Sequence, residues 1–439
     1  MFKTLKNAWK TPELQKKMLF TLFIVLLYRL GACIMVPYVS PAVADSFSSL
    51  YGSSVLGLMS ILSGGAMQYA TLFALSVSPY ITASIVMQLL TIAIPALERM
   101  AKDGAEGQKK ITVITRYVTV GLALITSYGY SMLLANQGWL LRDDWFAMIV
   151  INACFCAGAA LVMWLAELVN DKGIGNGISV ILCVNIIASF PGLASTLVSG
   201  ISGDTWWVGL IVAVVVLAIA VAAIGFIVFI TNSERRIPIQ YAKRVVGRKM
   251  YGGQSTNLPI KLNMTGVMPI IFASSIVSIP ATITAFMSNK DNGFYKFVEN
   301  FFAADTWLYL VLFLVLIVAF SYFYVLISFN PVEVANNINS NGGAIPGHRP
   351  GRPTVQYINR ILKRITLIGS FFLCIVAGVP MLVTVVTSVM SKAGVNVPVG
   401  LSALTFSGSS LLIVVGVVLE TIRDLEAQLS MRTSKGFLS

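Results

Sequence analysis

The sequence predicts an all-α polytopic membrane protein, and three observations lead to that fold class. Hydrophobic residues make up 56% of the 439 residues and charged residues only 11%, whereas soluble domains carry about 25% charged residues. The mean hydropathy is +0.82. Ten apolar runs are long enough to cross a bilayer, which takes roughly 20 helical residues. We therefore expect one integral membrane domain of ten transmembrane helices.

The ten predicted spans follow one another along the chain, separated by polar gaps. They cover residues 18–36, 74–94, 112–134, 146–168, 178–198, 206–230, 264–287, 307–329, 365–390 and 402–420. Ten divides into two groups of five, and an odd number of spans gives the two groups opposite orientations. This pattern is compatible with two inverted halves, 18–200 and 201–420, although no residue-level repeat is visible.

Basic residues are strongly biased to one side of the predicted membrane. Most of the 31 Lys and Arg residues lie there, and four lie on the other side. The basic side holds the amphipathic N-terminus (1–17), every second gap and the C-terminal tail (421–439). Because Lys and Arg accumulate in cytoplasmic loops, both termini are predicted to be cytosolic. Two basic gaps are long, 231–263 and 330–364, and they predict a cytosolic docking surface.

The tip of the second long gap has a composition that predicts a shaped turn. Residues 342–353 contain four Gly and three Pro among twelve, so they cannot form a helix. We expect a rigid turn that projects Arg349 and Arg352, whose guanidinium groups suit carboxylates and phosphates. A plain solvated loop is the alternative.

The external segment 53–69, between the first and second spans, is unusual. Val55–Leu62 is apolar but too short to cross a membrane, and a Ser-Gly-Gly break follows it. The second span carries many hydroxyl side chains and has Pro79 in its interior, so it packs against other helices or lines a water-filled cavity. From the residues alone, a movable element that folds into a pore and a packed re-entrant helix are equally supported.

Residues that could carry catalysis are few. The five Cys and the single His show no metal-ligand spacing, and no phosphate-binding Gly-rich motif is present, so neither enzyme activity nor a metal or cofactor is predicted. Arg29 and Glu167 lie inside spans but away from mid-depth, which argues against a proton-coupled pump. A protein channel and a secondary transporter for small or lipidic solutes remain, whereas an intramembrane enzyme lacks support.

Five motifs spread over the chain carry a family resemblance. They are GGAMQYATLFALSVSPYITASIVMQLL at 64–90, GIGNGIS at 173–179, RRIPIQYAKRVVGRKMYGGQSTNLPIKLNMTGVMP at 235–269, GHRPGRPT at 347–354 and SLLIVV at 410–415. Together they resemble the SecY family, the channel subunit of the bacterial Sec protein translocon. The resemblance covers essentially the whole chain, and several long motifs agree at once.

The resemblance implies a protein-conducting channel with two inverted five-helix halves around a central pore. A narrow apolar ring would be formed by Val77, Ile81, Ile178, Leu182, Ile271 and Ile413. The family favours Ile at these positions, and this chain departs from it at Val77 and Leu182. The plug, residues 53–69, would fill the external funnel with Val55, Leu56, Leu58, Met59, Ile61, Leu62, Gly64 and Gly65.

The resemblance also implies a lateral gate, partners and a location. The gate would lie between spans 2 and 3 on one side and spans 7 and 8 on the other, with polar positions Thr82, Gln88, Thr126 and Asn263. The motor ATPase SecA or the ribosome would dock on Arg244, Arg248, Lys249 and Arg349. SecE and SecG would accompany the chain in the bacterial plasma membrane, where signal sequences, secretory and nascent polypeptides and membrane lipids would contact it. No DNA is expected.

Overall fold

The computed structural model of the protein describes residues 8–41, 43–44, 46–47, 60, 63–142, 144–201, 206–241, 244–246, 249–251, 255–285, 293, 306–392 and 407–435. The helices are α1 (Pro12–Gly31), α2 (Ser78–Ala93), α3 (Pro95–Lys102), α4 (Gly104–Asn136), α5 (Trp145–Lys172), α6 (Gly177–Ile201), α7 (Trp206–Asn232), α8 (Met268–Ala285), α9 (Trp307–Ser328), α10 (Pro331–Ser340), α11 (Arg352–Lys392) and α12 (Ser407–Lys435). The strands are β1 (Glu234–Tyr241), β2 (Arg244–Val246), β3 (Lys249–Tyr251), β4 (Ser255–Lys261) and β5 (Gly343–Ala344).

The chain is mostly helical, and a helix overlaps each of the ten predicted spans. Among the described residues, four helical stretches are long and apolar enough to cross a membrane. They are α4, α5, α9 together with α10, and the part Arg352–Thr387 of α11. The bent pair α2 and α3 makes a fifth if it counts as one span.

The first five-helix group consists of α1, α2, α4, α5 and α6. Helix α5 contacts α1, α4 and α6, and α2 packs against α4 and α5. The segment before α2 lies close against α5, because the α5 residue that faces it is a glycine. A Cβ atom on Gly158 would lie 1.9 Å from the Leu72 carbonyl oxygen, so only glycine fits there.

The second group consists of α7, α8, α9, α11 and α12. Helix α9 lies between α8 and α11, and α12 contacts α7 and α11. The two groups meet along two seams. On one, α8 contacts α2 and α4; on the other, α7 and α12 both contact α6.

The start of the second span differs from the sequence prediction. Helix α2 begins at Ser78, and residues 71–77 before it form a bridge and turns. Pro79 therefore lies in the first turn, where a missing N–H is harmless, and not in the helix interior as predicted. At the other end, the helix bends by 101° into α3 at Pro95, since the residue before a proline avoids the helical region.

The two long basic gaps fold into one body that contains strands, which the all-α prediction did not include. Strand β1 pairs antiparallel with β4 from Glu234 opposite Lys261 to Gln240 opposite Ser255. Its other edge pairs with β5 of the second gap. Branched side chains of this sheet, including Ile237, pack with those of α10 and α11, including Ile358, in one buried cluster.

Candidate functional site

The six residues expected to form the apolar ring come from four helices of both groups. Val77 and Ile81 lie at the start of α2, Ile178 and Leu182 on α6, Ile271 on α8 and Ile413 on α12. Five of the six are buried members of one apolar cluster, and Ile178 packs against it half-buried. Val77, the N-cap of α2, lies four residues before Ile81, and Ile178 lies four residues before Leu182 on α6, so the members of each pair are about one helical turn apart. Four separate helices thus direct branched apolar side chains into the same cluster.

A cavity of about 370 Å³ opens beside this cluster. Leu182, Ile271 and Ile413 line it together with polar residues that include Asn176, Asn263, Lys261, Thr231, Glu420, Arg423 and Asp424. Glu420 lies seven residues after Ile413 on α12, which places it about 10 Å further along the helix axis. The cavity therefore runs from an apolar end to a charged end.

The charged end of the cavity is tied together by Arg423. Its Nη2 donates to the Thr231 carbonyl oxygen at 2.8 Å and to Asn232 Oδ1 at 2.9 Å, which joins α12 to the end of α7. Burial, reinforced by the positive charge of Arg423, lowers the pKa of the Lys261 ammonium group below its ordinary value. Glu420 and Asp424 line the same end, so two carboxylates face the two basic groups and this end of the cavity carries charges of both signs.

Of the four polar positions expected at the lateral gate, Thr82 and Gln88 lie on α2, Thr126 lies on α4, and Asn263 precedes α8, and these three helices meet at one seam. The Thr82 hydroxyl donates to the Ser78 carbonyl oxygen at 3.1 Å, and the Thr126 hydroxyl donates to that of Leu122 at 2.8 Å. Asn263 Oδ1 accepts from the Thr265 hydroxyl at 3.2 Å. Within the described residues no hydrogen bond joins two of the four, and Gln88 Oε1 is buried without a hydrogen-bond partner.

The expected plug falls mostly outside the described residues, which include none of Val55, Leu56, Leu58, Met59, Ile61 and Leu62. The end of the segment is described. The Ser63 hydroxyl donates to the Ser60 carbonyl oxygen at 2.9 Å, and Gly64 and Gly65 both have positive φ, 67° and 84°. A Cβ atom on Gly64 would lie 2.9 Å from Arg29 Nη1 and 3.0 Å from Asn185 Cα. The segment therefore ends in a glycine turn seated against α1 and α6.

Next to the ring lies a buried polar cluster that the sequence prediction missed. The Tyr28 hydroxyl and Ser76 Oγ are 3.2 Å apart, and Asn185 Nδ2 donates to Ser76 Oγ at 3.1 Å. All three side chains are buried. Asn185 is an amide inside a predicted span, and this is the signal that could have found it, because buried polar side chains in membranes need partners.

One ion pair within the spans was also missed. Arg116 Nε of α4 lies 2.9 Å from Glu167 Oε1 of α5, so the Glu167 carboxylate is paired. The Glu167 side chain is 14% exposed and that of Arg116 48%. A carboxylate in a span survives there because a guanidinium group neutralises it.

The docking residues are described in part. Arg349 is exposed at the tip between β5 and α11, and its carbonyl oxygen accepts a hydrogen bond of 2.9 Å from the Thr354 hydroxyl. Gly347 and Gly351 on either side have positive φ, 82° and 98°, so the tip is a defined turn. Arg244 and Lys249 lie in the β2–β3 hairpin, but their side chains, and the whole of Arg248, lie outside the described residues.

These features define a helical membrane protein in which a buried apolar cluster, built from both helix groups, lies beside a polar cavity. The chain belongs to the SecY family, whose model matches residues 71–422. The protein translocase subunit SecY of Streptomyces griseus is 43% identical over the full length of both chains.

Solved structures share the fold. One is a SecY structure whose plug domain is described as stabilising the closed state of the translocation channel. It has a TM-score of 0.59 at 17% identity and covers 94% of this chain and 92% of the other. Another is Sec61 in the canine ribosome-channel complex from the endoplasmic reticulum, with a TM-score of 0.59 at 15% identity and the same coverage.

Proposed function

We propose that this chain is the passive protein-conducting channel of a bacterial translocase. It passes secretory polypeptides across the plasma membrane and releases signal sequences and transmembrane helices sideways into lipid. The observation that carries the proposal is the convergence of ring residues from four helices on one apolar cluster beside a polar cavity. The family relationship does not favour the secondary transporter, the alternative from the sequence.

The proposed architecture has ten spans in two inverted halves, 18–200 and 201–420, with both termini in the cytosol. In support, a helix overlaps every predicted span, and five of these ten helices fall in each half of the chain. The basic N-terminal segment 1–17, the body formed by gaps 231–263 and 330–364, and the tail 421–439 share the cytosolic side. In support, α12 continues through Lys435, so the tail extends the last helix.

In the proposed resting state, the six branched side chains seal the pore. Apolar constrictions exclude water and therefore ions, because a narrow apolar passage dewets. The same side chains hold no fixed hydrogen bonds with a passing chain, so they yield to polypeptides of any sequence. Val77 and Leu182 keep this property. The plug, residues 53–69, would cover the ring from outside.

Sideways release would use the seam between α8 and the pair α2 and α4. An apolar signal helix lowers its free energy when it moves from the pore into lipid, by about 25 cal/mol for each Å² of apolar surface taken out of water. The few polar side chains at the seam, Gln88 and Asn263 among them, make the closed seam easy to part. This step consumes no nucleotide, so the chain itself is not an enzyme and needs no cofactor.

The energy for pushing a secreted chain would come from SecA or the ribosome docked on the cytosolic body. The exposed Arg349 and the basic β2–β3 hairpin suit an acidic protein surface or the phosphates of ribosomal RNA. The Sec61 structure of like fold is a ribosome-channel complex, which supports the ribosome as a partner. SecE and SecG would complete the membrane complex.

Cross-linking to a polypeptide arrested in transit tests the proposed pore. In a background without the native Cys residues, Ile413→Cys should form a disulfide with a Cys in the arrested chain. The matched control is Val418→Cys on the same helix, since Val418 is 45% exposed on the outer surface. Equal or stronger cross-linking from position 418 would overturn the pore assignment.

A further inference from the structure

We propose that Tyr28, Ser76 and Asn185 form a latch that holds the ring closed and reports the position of the plug. The proposal rests on the channel function proposed above and goes further, because it assigns a positioning role to three residues outside the ring. The three side chains come from α1, the turn before α2 and α6, and they meet in one buried cluster beside the ring.

The latch is placed to set two ring side chains. Ser76 is the residue before Val77, and Asn185 lies three residues after Leu182, one helical turn away. A hydrogen bond between Ser76 and Asn185 therefore fixes the distance between these two ring positions. Apolar packing alone leaves such neighbours free to slide, whereas a hydrogen bond requires one distance and direction.

The backbone at Ser76 shows that this geometry is imposed. Its φ is 48°, in the left-handed region that residues with a side chain rarely adopt. Strain of this kind persists only where the surroundings fix it. The Tyr28 ring, which stacks on Phe73 with centroids 5.4 Å apart, and the Asn185 amide are those surroundings.

The latch also touches the end of the plug segment. Gly64 is so close to Arg29 and Asn185 that a Cβ atom there would lie 2.9 Å from Arg29 Nη1 and 3.0 Å from Asn185 Oδ1. Asn185 is thus in contact with the plug end while its amide binds Ser76. When the plug withdraws, Asn185 loses its contact with Gly64. The position of the plug and the closure of the ring are therefore coupled through the Asn185 side chain.

The test is chloride efflux from lipid vesicles that contain the purified complex without motor or substrate. Ser76→Gly removes the shared hydroxyl and relieves the backbone strain, so the complex should unfold at the same or a higher temperature and yet leak more. The Ser76 hydroxyl makes two buried hydrogen bonds, and losing both shifts a two-state equilibrium by roughly tenfold or more, so we expect at least about a tenfold increase in efflux. Tyr28→Phe and Asn185→Leu should also raise efflux, but add nothing in the Ser76→Gly background, because all three act through one hydroxyl.

Two controls make the outcomes decisive. Ser131→Ala removes another buried hydroxyl that donates to an amide, Asn152 Oδ1 at 3.1 Å, and it should leave efflux unchanged. Ile271→Gly widens the ring itself and should raise efflux. If Ile271→Gly leaks and Ser76→Gly does not, the latch is wrong and the channel stands. If Ile271→Gly does not leak, the ring assignment fails and the latch fails with it.

Discussion

The two helix groups hold their share of the ring in different ways. In the first group, Val77 and Leu182 are flanked by the hydrogen-bonded cluster of Tyr28, Ser76 and Asn185. In the second group, Ile271 and Ile413 sit among apolar and aromatic side chains, with Phe272 edge-on to Phe320 at 5.9 Å. The Ser274 hydroxyl lies one helical turn after Ile271 and donates to the Ile271 carbonyl oxygen, so this hydrogen bond stays within α8.

This difference suggests which half moves. Directional hydrogen bonds between helices break when the helices shift, whereas apolar contacts slide at smaller cost. Both long basic gaps belong to the second group, so the half whose expected ring residues are held by apolar contacts also carries the expected docking residues. We infer that the first group is the fixed frame and that the second group shifts against it.

The largest expected effect comes from the docking body. Arg349→Glu reverses the charge at the exposed tip, and we expect motor-driven translocation in reconstituted vesicles to be abolished while the complex stays folded. Lys102→Glu is the matched control, because Lys102 is a basic residue of the first group with a side chain 73% exposed. Normal translocation by the Arg349→Glu variant would show that docking at this tip does not drive movement of the second group.

Removing an aromatic contact tests the apolar packing of the second group. Phe272 is 4% exposed, and truncating a buried Phe to Ala costs about 3–5 kcal/mol. Phe272→Ala should lower the unfolding temperature of the purified complex and loosen the α8–α9 contact. Phe229→Ala is the control, since Phe229 is 73% exposed and its loss should have little effect. A Phe272 variant as stable as wild type would show that this packing does not hold the second group.

A smaller effect is expected at the plug end on the first group. Gly64→Ala forces a side chain into the left-handed region and against Arg29, which costs about 1–2 kcal/mol from the backbone alone. We expect the plug end to unseat and resting chloride efflux to rise. Gly138→Ala is the matched control, since its φ is 68° with open space around it, far from the ring in sequence. Equal efflux from both variants would remove the seating role of Gly64.

The smallest expected effect concerns the ion pair of the first group. Glu167→Gln leaves Arg116 without its carboxylate, but Arg116 is half-exposed and reaches solvent or headgroups, so we expect a loss of about 1 kcal/mol. Thermal unfolding of the complex at low and high salt measures it. A much larger loss would mean that the first group depends on this pair as well as on the Ser76 cluster.

The sequence predicts the helices well because long apolar runs are a local signal, and a helix overlaps each predicted span. It does not predict the sheet that joins the two long basic gaps, since β5 comes from a different gap from its partner β1. It misses the contact between Ser76 and Asn185, because these residues lie 109 positions apart and nothing in the sequence indicates that they pair. The ring and plug residues follow from the family resemblance, because a branched side chain in a span more often packs than seals.

The start of α2 shows why local rules fail near the site. The apolar pattern continues through residues 71–77, so the sequence predicts helix, but the backbone turns there with positive φ at Ser76. Contacts with α1 and α6 override the local preference. The same turn brings Val77 into the apolar cluster.

Helix α11 connects the tip at Arg349 with the helices of the second group. The helix begins at Arg352, three residues after Arg349. Its 41 residues make it about 60 Å long. Its flank lies on α9, which lies on α8, the helix of Ile271. We expect a push on the tip at Arg349 to reach Ile271 through these two helix contacts. Pro353 lies in the first turn of α11, and Pro380 is the proline in its interior and the place where the helix can flex.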